Sequence, residues 1–199
     1  VDDATAIPFG KALAIGVIQC LSILPVYRAL ALRLSVRGFW VFLACLSLGV
    51  AAIAAVGTVR AAIVDVADEA AVKEGMANIL SEFGRIDQAI ANAGIGQSKR
   101  DMFDISIDDF KKLESINVHG VFFTLREAAR HMIERHKAGD GGGSLAAVAS
   151  TAAIHGAARN EHYGATKGAV VSMCRAMAVE LAPASIRVNS VAPTFIELQ

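Results

Sequence analysis

Tyr163 stands four residues before Lys167 in the stretch EHYGATKGAV, and Ser150 lies thirteen residues before the tyrosine at the end of a short apolar run. Four residues along a helix place Tyr163 and Lys167 on one face. A phenol titrates at about pH 10, too high for ready proton exchange at neutrality. An ammonium close by favours the phenolate and lowers that value. A serine hydroxyl at a strand end can hydrogen-bond a substrate oxygen and hold it for the proton transfer. Together these three residue types could run acid–base chemistry on a carbonyl or an alcohol. The Tyr-x-x-x-Lys spacing alone is a common coincidence, and Ser150 alone could be a turn hydroxyl. The elements around them have to make the site.

Those elements are legible from residue 58 onward. VRAAIVDV is a short β-branched run and reads as a strand. In DEAAVKEGMANILSEFG the apolar positions Val72, Met76, Ile79, Leu80 and Phe83 follow a 3.6-residue period, so a helix with one buried face is expected, with Gly84 as its C-terminal stop. IDQAIANAG reads as a second strand ending in Asn92-Ala93-Gly94. Ser106 and Asp109 have the capping-box spacing and open a helix through about Asn117. A long helix over roughly 120–137 follows, then a GDGGG turn and the strand SLAAVAS. The last elements are the helix EHYGATKGAVVSMCRAMAVELA and the strand IRVNSVAP. Alternating strands and helices, with strands that are continuous apolar runs, imply a parallel sheet. Ligands bind such sheets at the carboxyl ends of the strands. Asp65, the Asn92-Ala93-Gly94 turn, Ser150 and Pro193 all fall at expected strand ends, so they should converge on one edge.

Composition narrows the function classes. The 199 residues carry equal numbers of acidic and basic side chains, so no basic surplus points to nucleic acid. Cys20, Cys45 and Cys174 are scattered, which fits free thiols in a reducing, cytoplasmic setting better than a disulfide framework. Between residues 12 and 57 the charges are Arg28, Arg33 and Arg37, and GFWVFLACLSLGVAAIAAVG is long enough, at about 20 residues, to span a bilayer. A signal peptide fits poorly because Asp2 and Asp3 stand where a basic segment would be expected. Other motifs carry less. His131 and His136 in HMIERH are five apart, which separates them around a helix and does not match H-E-x-x-H. GDGGGS runs into a strand rather than a helix, so it reads as a loop. His155 and His162 flank the tyrosine and are candidates for substrate contact.

Taken in order, Asp65-Val66, Asn92-Ala93-Gly94, Asn117 in INVHG, Ser150, Tyr163-x-x-x-Lys167 and RVNSVAP make the chain resemble the short-chain dehydrogenases/reductases over residues 58–193. The resemblance implies a single Rossmann-like domain over residues 1–199, a three-layer α/β/α doubly wound sheet of about six parallel strands. Residues 1–57 diverge from it, and the final strand is expected to be absent, leaving the fold C-terminally incomplete. It also implies an NAD- or NADP-dependent oxidoreductase acting on a small carbonyl or alcohol, assembled as a homodimer or homotetramer. Pairing is expected through the two long helices, with Ala169, Val170, Met173 and Met177 beside the catalytic face. Under the same resemblance Tyr163 is the general acid/base, Lys167 tunes it and holds the nicotinamide ribose, Ser150 orients the reacting oxygen and Asn117 anchors a relay water. Asp65 and Val66 would border the adenine, Asn92, Ala93 and Gly94 would line the cofactor cleft, and Tyr163, Lys167 and Pro193 would also contact the cofactor. No metal is implied.

The resemblance weakens toward the N-terminus. The family carries a T-G-x-x-x-G-I-G loop after its first strand, whose glycines let the backbone approach a pyrophosphate. Here Leu21, Pro25 and Tyr27 stand at the expected glycine positions, with Gly16 further upstream, and Cys45 takes the place of the acid that often binds the ribose. The choice between NAD and NADP is therefore unreadable. Three accounts follow: an active dehydrogenase with a diverged loop, a fold-retaining relative with weak or no cofactor binding, and a membrane-tethered form in which residues 12–57 are an anchor.

Overall fold

A computed structural model describes residues 60–96, 101–156 and 158–194. The first helix, α1, spans Glu69–Phe83; Asp68 caps its N-terminus by accepting from the Ala70 amide at 2.8 Å, and Gly84 ends it at φ 75°. That left-handed conformation is open to glycine at no steric cost, as the sequence leads one to expect. Strand β1 follows at Gln88–Ala91. Helix α2, Ile107–Glu114, begins with the expected capping box: the Asp109 amide donates to Ser106 Oγ, and that hydroxyl donates back to the Asp109 carboxylate at 2.8 Å. A π-helical turn, Ser115–Gly120, runs into α3, Val121–Lys137. Strand β2 spans Gly143–Val148, α4 spans Glu161–Leu181 and β3 spans Ile186–Val191.

The three strands form one parallel sheet in the order β1-β2-β3, with Ala91 beside Ala147 and Ala147 beside Ser190. Alternate residues on each strand turn toward the helices. Ala89, Ala91, Leu145, Ala147, Ile186 and Val188 join Met76 of α1, Leu125, Ala128 and Met132 of α3, and Val170 and Cys174 of α4 in one core. Burial of this apolar set is the main force holding the helices on the sheet. The parallel α/β architecture read from the sequence is thus the observed one, and it is a Rossmann-like fold. The remaining strands of the expected six, and a second helical layer, would fall outside the described residues.

Two expectations need correction. The segment around 59–66 forms no ladder among the described residues. Val64 and Val66 are nevertheless buried, packing with Val72 of α1 in a small second cluster. The helix expected to end near Asn117 does not end there. It continues through the π turn into α3, so Asn117 is an interior residue and not a cap. Among the described residues no helix is long and apolar enough to cross a membrane, and no group of three or more His, Cys, Asp or Glu could hold a metal ion. The apolar stretch within 12–57, the loop positions Leu21, Pro25 and Tyr27, and Cys45 lie outside the described residues.

Candidate active site

A cleft of about 830 Å³ opens at the carboxyl end of the sheet, where parallel strands leave their ends free for ligands. It is walled by the ends of the three strands and by the start of α4. Ser150, Tyr163, Lys167, Asn92, Gly94 and Pro193 all line it, together with Ile95, Thr151, His155 and Asn160. Six of the residues read as catalytic or cofactor-binding, and the candidate His155 with them, therefore meet around one space. Asp65, Val66, Ala93 and Asn117 do not line it. Asp65 is exposed and its carboxylate accepts from the Ala67 amide at 2.9 Å, closing its own turn. Val66 is buried, and with Ala93 it lines a separate, smaller hollow beside Gly120. Asn117 is wholly buried.

The catalytic candidates come from three places in the fold: Ser150 after β2, Tyr163 and Lys167 on α4, and Asn117 in the π turn. Ser150 follows the end of β2 and accepts from the Ala152 amide at 3.2 Å, starting a short 3₁₀ turn. The neighbouring Thr151 amide donates to the Pro193 carbonyl at 3.0 Å and the Ala149 amide to Val191 at 2.7 Å, so the ends of β2 and β3 are locked together beneath the cleft. Lys167 is 4% exposed, and its Nζ donates to the Val148 carbonyl at 2.8 Å. Burial alone drives its ammonium below the ordinary lysine range. An ammonium has three donors, and among the described residues Lys167 spends one of them on Val148, which leaves N–H groups for a ligand in the cleft. The same Nζ lies 5.8 Å from the centre of the Tyr163 ring. The one-face placement expected from four-residue spacing is therefore the observed one.

Asn117 is tied on both sides. Its Oδ1 accepts from the Ile95 amide at 2.8 Å, and its Nδ2 donates to the Ile95 carbonyl at 2.9 Å and to Thr166 Oγ1 at 3.2 Å. Both Nδ2 protons are thus committed to protein. Gly94 sits where a side-chain carbon would come within 3.2 Å of Asn117 Oδ1 and 3.3 Å of Lys167 Nζ, so a larger residue would press on both. Ile95, Thr166 and Val148 were not singled out in the sequence. Thr166 immediately precedes Lys167, but a threonine inside a helix carries no signal of its own. Of the two flanking histidines, His155 lines the cleft, whereas His162 is buried with its ring 6.4 Å from that of Phe110.

Comparison with known proteins gives consistent matches. A family model described as "Enoyl-(Acyl carrier protein) reductase" matches residues 28–199. The (-)-trans-carveol dehydrogenase of Rhodococcus erythropolis is 38% identical over 130 residues, 65% of this chain and 46% of that protein. Among solved structures, a 3-ketoacyl-(acyl-carrier-protein) reductase from Brucella melitensis complexed with NADH superposes with a TM-score of 0.66 at 34% identity, covering 71% of this chain and 58% of the other. ElxO with NADP bound gives a TM-score of 0.66 at 32% identity over 70% of this chain and 54% of the other. The chain spans about half the length of the curated relatives it matches.

Proposed function

The chain belongs to the short-chain dehydrogenase/reductase family, and on that premise we propose that it is an NAD(P)-dependent oxidoreductase interconverting a small carbonyl compound and its alcohol. The observation that carries this reading is the meeting of Ser150, Tyr163 and Lys167 around one cleft at the carboxyl end of the sheet. The residues present fit a nicotinamide dinucleotide. The Gly94–Gly96 backbone lines the cleft after β1, and Lys167 keeps N–H donors free in a largely enclosed position, suited to the vicinal hydroxyls of a ribose.

The cofactor, when bound, supplies the hydride for reduction and accepts it for oxidation. The Tyr163 hydroxyl gives its proton to the substrate oxygen during reduction and recovers it during oxidation. Ser150 donates a hydrogen bond to the same oxygen and holds it in line with the phenol. The Lys167 ammonium stabilises the phenolate that remains once the proton has moved. The Thr151–Pro193 and Lys167–Val148 bonds keep these groups at fixed separations, which is how a site of this kind gains from orientation. We read the chain as one cytoplasmic domain acting on a small molecule and pairing with copies of itself.

A second reading, a non-catalytic relative, is favoured by Leu21, Pro25 and Tyr27 at the expected glycine positions. Proline offers no N–H, and side chains at the other two positions crowd a phosphate path. Loss of such contacts weakens nicotinamide binding to about millimolar, since each ~1.4 kcal/mol is tenfold in affinity. Calorimetric titration of the full chain with NADH and with NADPH separates the readings. Micromolar binding means that another segment cradles the phosphates and favours an ordinary enzyme. No binding by a folded chain would favour the non-catalytic relative.

A further inference from the structure

Thr166 is 2% exposed, inside α4 and between the two residues assigned to proton chemistry. Its hydroxyl donates to the Tyr163 carbonyl at 2.8 Å and accepts from Asn117 Nδ2 at 3.2 Å. A threonine hydroxyl has a single proton. Because that proton goes to the Tyr163 carbonyl, the oxygen's lone pairs are left to face Asn117, and the rotor is fixed. Asn117 is fixed in turn, because one orientation of its amide satisfies both the N–H and the C=O of Ile95. The result is a directional chain of hydrogen bonds: Ile95 amide to Asn117, Asn117 to Thr166, Thr166 to the Tyr163 backbone. It crosses from the loop after β1 to the helix that carries Tyr163 and Lys167.

We infer that Thr166 is a positioning residue: its hydroxyl sets the distance between the cleft wall at Gly94–Ile95 and the Tyr163–Lys167 pair. This rests on the oxidoreductase reading above for its kinetic consequence, though not for the linkage itself. A threonine that merely bonds back to its own helix is common and bends the helix slightly. Two observations separate Thr166 from that case. The second bond spans 49 residues of sequence to a wholly buried partner. The neighbouring Gly94 position lies against both Asn117 and Lys167, so a small shift of one is felt by the other.

The test compares Thr166→Val, which keeps the shape without the hydroxyl, with Thr166→Ser, which keeps the hydroxyl without the methyl. Thr166→Ala serves in place of the valine variant should that one fail to fold. Amide exchange at Ile95 reads the linkage directly in the full chain. Valine or alanine should speed it by about tenfold, while serine stays at the wild-type rate. Reduction of ethyl acetoacetate with NADH and with NADPH, each at saturating cofactor, reads the consequence. Valine or alanine should lower kcat by about 10- to 100-fold with KM within about twofold, and serine should restore kcat. Wild-type exchange and kcat in the hydroxyl-free variants would overturn the inference. So would a serine variant as impaired as valine, which would make the methyl group the important part. If the wild-type chain reduces nothing, the oxidoreductase reading is what fails, and exchange at Ile95 still decides the linkage.

Discussion

Tyr163 and Lys167 are close enough to be mistaken for a single functional unit, yet their substitutions should separate. Tyr163→Phe keeps the ring against the cleft and removes the hydroxyl proposed as the proton donor. It should abolish nearly all turnover while leaving nicotinamide affinity within about twofold, measured as kcat beside calorimetric titration. Lys167→Met should lose turnover and weaken cofactor binding, yet make the protein more stable. The reason is that Lys167 is 4% exposed, and the cause of its lowered titration is burial, with no carboxylate contributing. An ammonium taken from water without an opposite charge costs free energy that a methionine does not. Urea midpoints at neutral pH should rise by the equivalent of about 1–2 kcal/mol. The sign of the pH dependence follows. Between the lowered value and the ordinary lysine range the unfolded chain binds more protons than the folded one, so the wild type gains stability as pH rises through that window. Lys167→Met should lack that gain.

At the scale of elements, the local signals that were legible are those whose physics is confined to a few residues. The Ser106–Asp109 box is one. Replacing Ser106 with Ala removes both its bonds at the start of α2 and should cost about 1 kcal/mol, seen as a lower thermal midpoint. The Gly84 stop and the apolar stripe of α1 were equally readable, and so were β2, α4 and β3. That Ser150 and Gly94 meet Tyr163 and Lys167 around one cleft was legible because strand ends in a parallel sheet share an edge and the helix after β2 starts from that edge. The π turn was not readable, since nothing in SINVHG distinguishes a wide turn from the end of a helix. The ladder expected around Ile63 and Val64 depended on neighbours that a local pattern cannot supply. The Thr166–Asn117 bond was hidden for the same reason, because its partners are far apart in sequence.

The whole molecule is also held from below, at the edge opposite the cleft. Arg135 of α3 donates to the Ile86 carbonyl at 2.9 Å and pairs with Asp87 at 3.1 Å and Asp140 at 3.2 Å, while Arg85 pairs with Asp87. The hydrogen bond from Arg85, with help from Arg135, holds the Asp87 carboxyl below the usual carboxylate range. A carboxyl with a lowered folded value stabilises the protein above about pH 4 and loses that contribution as pH falls through its folded value. Asp87→Asn should therefore show a smaller drop in urea midpoint than wild type between about pH 5 and pH 3. Self-association belongs to this scale as well. Val170 is buried in the core and Met173 and Met177 pack against it, so these side chains serve the fold first. Among the described residues, Val179 of α4 is an outward position open to a partner copy, at 79% exposed. Light scattering at micromolar concentration should give a multiple of 20.8 kDa, and a clean monomer would count against the pairing.

The bonds that close the cleft have a bearing on the order of folding. They join Ile95 to Asn117 across 22 residues, Asn117 to Thr166 across 49, and Val148 to Lys167 across 19. Helices α1, α3 and α4 can form from neighbours in sequence, but these bonds need both crossovers already docked, and closing such loops is the slow part of reaching a parallel sheet. The cleft should thus be completed last, after most of the secondary structure, and a partly folded form should have helices without the assembled cleft.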